Sequence, residues 1–420
     1  MNKIRMIDLF SGCGGLVEGF MQTNLYEPTA SVEWEKAPMT TLRHRLQTKW
    51  EVHHAEESSI WFDMQRIGEL FTGFQDDPKY GSSKGLDHFV AETNGIDIII
   101  GGPPCQAYSV AGRVQDKNSM KEDYRNYLFE YYLKVVERYQ PKLFVFENVP
   151  GMLSAMPDGT PITDLIRRDI ENKGYEIIDD IKGHALIDMS EFSVPQNRRR
   201  VILVGVRKDL FPDNQIQDVL IDFYDSILAK HKSGEVITVG EAIGDLEKYF
   251  PLEEPVAIKG LGKFSHTLPN SKFSSHIPRF HNQRDISIFK MLAKDIEEGT
   301  FEFTDSKKLN EIYNNATGGN TSVHKYHVLR RELPSTTILA HLYKDGLRFI
   351  HYDSKQARSI TVREAARLQG FPDDFEFVAP RGEQYKMIGN AVPPKFSNQL
   401  AQAISEFLVK YIEKERLASY

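Results

Sequence analysis

Five short apolar runs, each cut off by a glycine, a proline or a charged group, constrain this chain more than any other feature. They are Met6 to Phe10, Thr29 to Val32, Ile96 to Ile100, Leu143 to Phe146 and Val201 to Val206. Each is too short for a helix, and apart from Thr29 to Val32 none shows the polar alternation of a strand with one wet face. They read as strands buried on both faces. Segments with helical spacing, Leu16 to Met21 and Tyr124 to Tyr139, fall between them. Strands alternating with helices predict an α/β fold, a doubly wound and mostly parallel sheet covered on both sides.

From about Pro251 the pattern becomes polar and irregular, as in Asn320 to Lys325. Alternation returns at Thr336 to Leu342 and Leu347 to His351, which predicts short antiparallel strands. A helix over Val362 to Gln369 stops at Gly370-Phe371-Pro372, and Lys395 to Glu413 reads as a terminal helix. The expected organisation is a catalytic domain over residues 1–250, a smaller domain over 251–360, and a hinge with a returning helix over 361–420. A chain of 420 residues has room for both domains.

Composition narrows the partners. With 52 basic and 59 acidic residues the net charge is −7, which excludes a uniformly cationic nucleic-acid binder but not a local basic surface. Two cysteines rule out a disulfide framework and suit a reducing cytoplasm. The charged and polar start lacks the apolar core of a signal peptide, and no apolar run approaches the ~18 residues of a membrane span.

In a doubly wound sheet, ligands bind at the carboxyl ends of the strands. The first strand opens into Ser11-Gly12-Cys13-Gly14-Gly15, where glycines allow close backbone approach and positive φ. The spacing is neither that of a dinucleotide loop nor that of a phosphate loop, so a tight strand-to-helix turn explains it equally well. Glu33 ends the next strand, where a carboxylate can accept ribose hydroxyls. Trp34 beside it either stacks on an adenine or fills a core.

Cys105 follows Gly101-Gly102-Pro103-Pro104, a stiff segment at the end of the isoleucine strand. A cysteine there is more often a small core residue. Glu147, however, ends the neighbouring strand at the same rim. A thiol and a carboxylate beside a nucleoside site fit covalent catalysis with a general acid. Arg198, Arg199 and Arg200 precede another buried strand. They read either as a solvated charge run or as rim arginines for a phosphate or a base carbonyl.

Six stretches in order resemble the motifs of DNA (cytosine-5) methyltransferases: Asp8 to Leu16, Gly102 to Ser109, Glu147 to Gly151, Gln196 to Arg200, Arg363 to Pro372 and Gly389 to Pro394. The resemblance spans Met6 to about Ala403 and is loose between Asp209 and Tyr326. It implies a class I, Rossmann-like methyltransferase that uses S-adenosyl-L-methionine, releases S-adenosyl-L-homocysteine, needs no metal and acts on double-stranded DNA. Phe10, Ser11, Gly12, Gly14, Gly15, Leu16, Glu33, Trp34, Pro104, Leu128, Asn390, Ala391 and Val392 would hold the cofactor. The family's aspartate–isoleucine pair after the third strand is missing, and Glu56, in His54 to Ile60, is the stand-in.

The resemblance further implies that Cys105 attacks C6 of a flipped-out cytosine while Glu147 engages the base edge and Arg198 and Arg200 hold the carbonyl and a phosphate. Gln106, Ser109, Gly112 and Arg113 would sit on a mobile loop closing over DNA. The smaller domain would recognise the target, with His324 to Arg331, Thr336 and Thr337 as candidate contacts. The expected setting is prokaryotic or phage: a monomer in a restriction–modification system, with a cognate endonuclease as possible partner. Three rivals remain: a tRNA cytosine methyltransferase, a silent DNA-binding member, and a small-molecule methyltransferase. The tRNA branch carries a cysteine–phenylalanine–threonine segment, and no cysteine follows Cys105 here.

Overall fold

The computed structural model describes residues 3–103, 128–156, 159–212, 215–259, 262–268, 270–321, 323, 325–344 and 346–413. Contacts between Cα atoms gather the chain into two units. The first comprises Met1–Ser193, Arg198–Gly234 and Ala391–Tyr420; the second comprises Val194–Asn197 and Glu235–Asn390. Residues 235–250 and 361–390, read from the sequence as catalytic domain and hinge, therefore group with the second unit.

The first unit is built on an eight-stranded sheet. Its strands are β1 Ile4–Leu9, β2 Tyr26–Glu33, β3 Ser59–Trp61, β4 Ile98–Gly101, β5 Leu143–Asn148, β6 Tyr175–Glu176, β7 Leu186–Asp188 and β8 Arg199–Arg207. The order is β3-β2-β1-β4-β5-β8-β6, with β7 also paired to β8. The first five run parallel. β8 runs antiparallel to β5, with Ile202 opposite Glu147. All five apolar runs of the sequence are strands of this sheet. Ile98, Ile99, Ile100, Phe144 and Val145 are fully buried, as strands covered on both faces should be.

The helix α1, Gly15–Met21, follows β1, and α2, Leu128–Tyr139, precedes β5. α2 turns Leu133, Val135 and Val136 inward, and Tyr132 donates from its hydroxyl to the carbonyls of Ile99 and Val145.

The second unit has a helical core and little sheet. Its longer helices are α3 Gln283–Glu297, α4 Ser306–Thr317, α5 Val362–Leu368 and α6 Arg381–Asn390. Phe289, Leu292, Tyr326, Val328 and Ile350 pack together at its centre. The two antiparallel strands expected at Thr336 to Leu342 and Leu347 to His351 are not formed. Ser335–Thr336 instead pairs in parallel with Gln196–Asn197, and Ala340–Tyr343 makes a tight helical turn. Around Ile350 there are only single bridges, to Val328 and Ser359. Alternation was imposed there by burial of Ile338 and Leu342 rather than by a pleated strand.

α5 begins with a reciprocal cap, Thr361 and Glu364 bonding each other's backbone N–H, and ends before Gly370 at φ +85°. Back in the first unit, the terminal helix α7 is Pro394–Phe407, shorter than the sequence suggested because the chain widens into a looser turn over Leu408–Ile412.

Candidate active site

The loop after β1 adopts the conformation its glycines permit. Phe10 is at φ +56°, Gly12 at +55° and Gly14 at +89°. A β-carbon at Gly12 would meet nothing within 4 Å, so its backbone faces open space. Ser11 is buried and spends its hydroxyl on the carbonyls of Asp8 and Val32, which holds the loop shut. Gly15 has a second constraint, because a β-carbon there would come within 2.3 Å of the Val392 carbonyl oxygen. That approach brings Ala391 and Val392 beside the loop, as the sequence expected. Leu16 and Leu128 are both buried, and Asn390 is exposed at the end of α6.

Glu33 lies at the end of β2 and is 6% exposed. Its carboxylate accepts the backbone N–H groups of Gly12 and Glu35, each at 2.8 Å. Burial nevertheless dominates and pushes the carboxyl up to about 7. Trp34 presents 47% of its surface, so of its two readings the exposed ring holds and the core filler does not. Its carbonyl accepts the indole N–H of Trp61 at 2.9 Å.

Glu56 does not join this group. It is exposed and paired to Arg43 at 2.7 Å. Asp8, quoted only within a motif, was overlooked. It is fully buried at the end of β1, and neither carboxylate oxygen has a hydrogen-bond partner among the described residues. Burial raises its carboxyl well above the usual range, which favours the uncharged acid. An aspartate inside an otherwise apolar run was the available signal. Open backbone at Gly12, a bare indole face, a buried ribose-type acceptor and an unsatisfied internal acid together fit an adenosine-bearing cofactor with a polar tail.

Around Glu147 the strand ends converge. Gly102 sits so close that a β-carbon there would come within 2.9 Å of Glu147 Oε2. Asn148 is buried and donates to the Pro103 carbonyl at 3.4 Å. The segment leading to Cys105 therefore leaves β4 against the end of β5. Pro104, Cys105, Gln106, Ser109, Gly112 and Arg113 lie outside the described residues. The other cysteine, Cys13, is buried, and burial drives its thiol upward, away from the thiolate needed of a nucleophile.

The three arginines have separate partners. Arg200 Nε pairs with Glu147 Oε1 at 2.9 Å. Arg199 is exposed and 3.6 Å from Asp188. Arg198 is buried, donates from Nη2 to the Ala391 carbonyl at 3.1 Å, and accepts the Met189 N–H on its own carbonyl. Arg200 thus lies beside Glu147, whereas Arg198 binds the Ala391 carbonyl.

The remaining motifs stabilise the second unit. Gln196 donates to the Leu368 carbonyl and to Gln369, and accepts the Ile338 N–H. Arg358 forms a bidentate pair with Glu364, at 2.7 and 2.6 Å, in complete burial. Arg363 caps the carbonyls of Ser274, Pro372 and Phe375. Thr337 donates to the Asn197 carbonyl at 2.6 Å; His324 lies outside the described residues, and in the rest of that stretch Tyr326, Val328 and Leu329 go inward while Arg330 and Arg331 are exposed.

Among the described residues no group of three or more His, Cys, Asp or Glu is placed to hold a metal ion, and no helix is long and apolar enough to cross a membrane.

Comparison with known proteins gives the same picture. The family of C-5 cytosine-specific DNA methylases matches residues 4–406. The type II methyltransferase M.Bpa9945I of Bacillus paralicheniformis is 32% identical, with 96% of this chain and 99% of that protein aligned. The type II methyltransferase M.NgoFVII of Neisseria gonorrhoeae is 30% identical over 98% of this chain and 89% of its own length. A crystal structure described as a prophage-encoded DNA modification methyltransferase from E. coli superposes with a TM-score of 0.62. It covers 97% of this chain and 99% of its own at 22% identity, a likeness of fold.

Proposed function

The chain belongs to the C-5 cytosine-specific DNA methylase family and is a DNA cytosine methyltransferase; from that premise we propose that it transfers a methyl group to C5 of a flipped-out cytosine through a covalent bond to Cys105. One observation carries the reading. Gly102 and Pro103, the residues that lead into the proline–cysteine pair, lie against Glu147 and Asn148.

S-adenosyl-L-methionine, when bound, supplies an electrophilic methyl group. Glu33 would accept its ribose hydroxyls, Trp34 would stack on its adenine, and Gly12, Ala391 and Val392 would wall the pocket. In a duplex the target base is stacked, and turning it out costs a few kcal/mol. The Cys105 thiolate adds to C6, and electron density moves through the ring to C5. Acting as the general acid, Glu147 would donate its proton to N3 as charge develops there and take it back when the ring double bond returns, with Arg200 holding the side chain in place. C5 would take the methyl group as the methyl–sulfur bond breaks, its electron pair staying on the sulfur of the departing thioether. A base acting through water then removes the C5 proton, and the C6–sulfur bond breaks as the ring double bond returns.

The reading extends to double-stranded DNA as substrate, to action as a monomer in the cytoplasm, and to a companion endonuclease such as type II systems pair with a methyltransferase. The test is labelled cofactor incubated with duplex DNA, with tRNA and with no nucleic acid. Label should appear in duplex DNA and disappear in Cys105→Ser. Label in tRNA alone, or a Cys105→Ser enzyme at the parent rate, overturns the proposal. Bisulfite sequencing of the product would give the recognition sequence.

A further inference from the structure

The second unit holds a concentration of positive charge that the methyl-transfer site does not use. A cavity of about 520 Å³ is lined by Arg279, Arg284, Lys344 and Arg381. Among the described residues a single carboxylate lines it, Asp285, and Arg284 already holds that one at 2.9 Å. The whole chain is net negative, at −7, so this excess is local.

The backbone adds to it. The first turns of α3 and α6, of 15 and 10 residues, both line the cavity through Arg284 and Arg381. Helix N-termini carry partial positive charge and unspent N–H groups, and together they favour an anion.

Arg279 is the decisive residue. It is 9% exposed, and among the described residues its Nη groups donate to the carbonyls of Leu342 and Tyr343 while its Nε has no hydrogen-bond partner. Its guanidinium lies 4.0 Å over the Tyr385 ring, and no carboxylate pairs with it among the described residues. A guanidinium buried without a counter-charge is expensive, and an arriving anion relieves that cost. His281, on the same wall, is held to about 3 by burial, with His266, Arg279 and Arg381 adding to the effect. It stays neutral and leaves the charge of the site to the four side chains. Tyr343, 43% exposed, gives the wall an apolar surface on which a sugar can rest.

We infer that this basin seats a backbone phosphate of the duplex substrate, a grip on DNA separate from the residues that carry out methyl transfer. The inference rests on DNA being the substrate, and arginine and lysine at a concave surface are the usual means of holding a phosphate in register.

The test is the double variant K344A/R381A, both residues being exposed. Binding of a fluorescent duplex would be measured by anisotropy over a range of salt, with melting temperature as the check on folding. We expect Kd to rise roughly tenfold, and the slope of log K against log salt to become shallower by about 0.9 for one lost phosphate contact. The methyl-transfer rate at saturating DNA should stay within about twofold. Unchanged Kd and slope overturn the inference. So does inorganic phosphate binding that the double variant abolishes while DNA affinity does not move, because the basin then serves free phosphate. If the double variant melts early, K344Q alone must still weaken binding and flatten the slope, or the inference falls. A parent protein that binds duplex in this manner yet methylates nothing would sink the proposed reaction and leave the basin standing.

Discussion

At the end of β2, burial lifts the Glu33 carboxyl to about 7, so near neutrality it is only partly ionised. A ribose hydroxyl donates more strongly to the carboxylate than to the acid, so protonation weakens cofactor binding. Calorimetric titration with S-adenosyl-L-methionine should show Kd rising as pH falls below 7, towards tenfold per unit, and Glu33→Gln should bind weakly with a flat profile. A parent profile already flat between 6 and 8 would remove Glu33 from ribose binding. For Glu147→Gln we expect kcat to fall roughly thirtyfold, about 2 kcal/mol of transition-state stabilisation, because the neutral amide loses the Arg200 ion pair and has no proton to give N3. An unchanged single-turnover rate contradicts it. Both acids were legible in the sequence because each ends an unmistakable buried strand. Asp8 and Arg198 were not, since their surroundings come from distant segments: the unsatisfied pocket under the glycine loop, and the Ala391 carbonyl.

Among the elements, β8 explains why the arginines reach the rim. It runs antiparallel to β5, so its amino end lies beside the carboxyl end of its neighbour, and Arg200 meets Glu147. Apolar runs give a strand but not its direction, and so the sequence left a solvated charge run equally open. The short pairing of Ser335–Thr336 with Gln196–Asn197 was invisible for a related reason, as residues far apart in the chain form it. Helix packing makes its own demand at Gly19, where a β-carbon would lie 2.4 Å from both Asn398 N and Ser397 Cβ of α7. Gly19→Ala gains about 1 kcal/mol of helix propensity but forces these backbones apart. We expect a net loss of about 2 kcal/mol, seen as a lower melting temperature. A variant as stable as its parent would mean that the two helices do not approach so closely.

For the molecule as a whole, acid should act through the second unit. Burial holds His266 to about 4 and His281 and His351 to about 3, against an ordinary 6.5. The unfolded chain therefore binds more protons between those values. Stability is complete above about 6.5 and drains away as pH falls towards 3, by up to about 1.4 kcal/mol per unit for each histidine. Glu364, held below the usual carboxylate range against burial by Arg358, adds its own loss at the acid end. Thermal melts from pH 7.5 to 4.5 should shift steadily downward, and a constant melting temperature would contradict the buried histidine set.

The composition of the first unit has a consequence for how the protein is made. The helix that packs on α1 comes from residues after Ala391, behind the entire second unit. A ribosome must therefore make the whole second unit before the opening strands can be sealed. Until then the glycine loop lacks the wall that Ala391 and Val392 provide, and a half-made chain leaves the tunnel without a complete pocket.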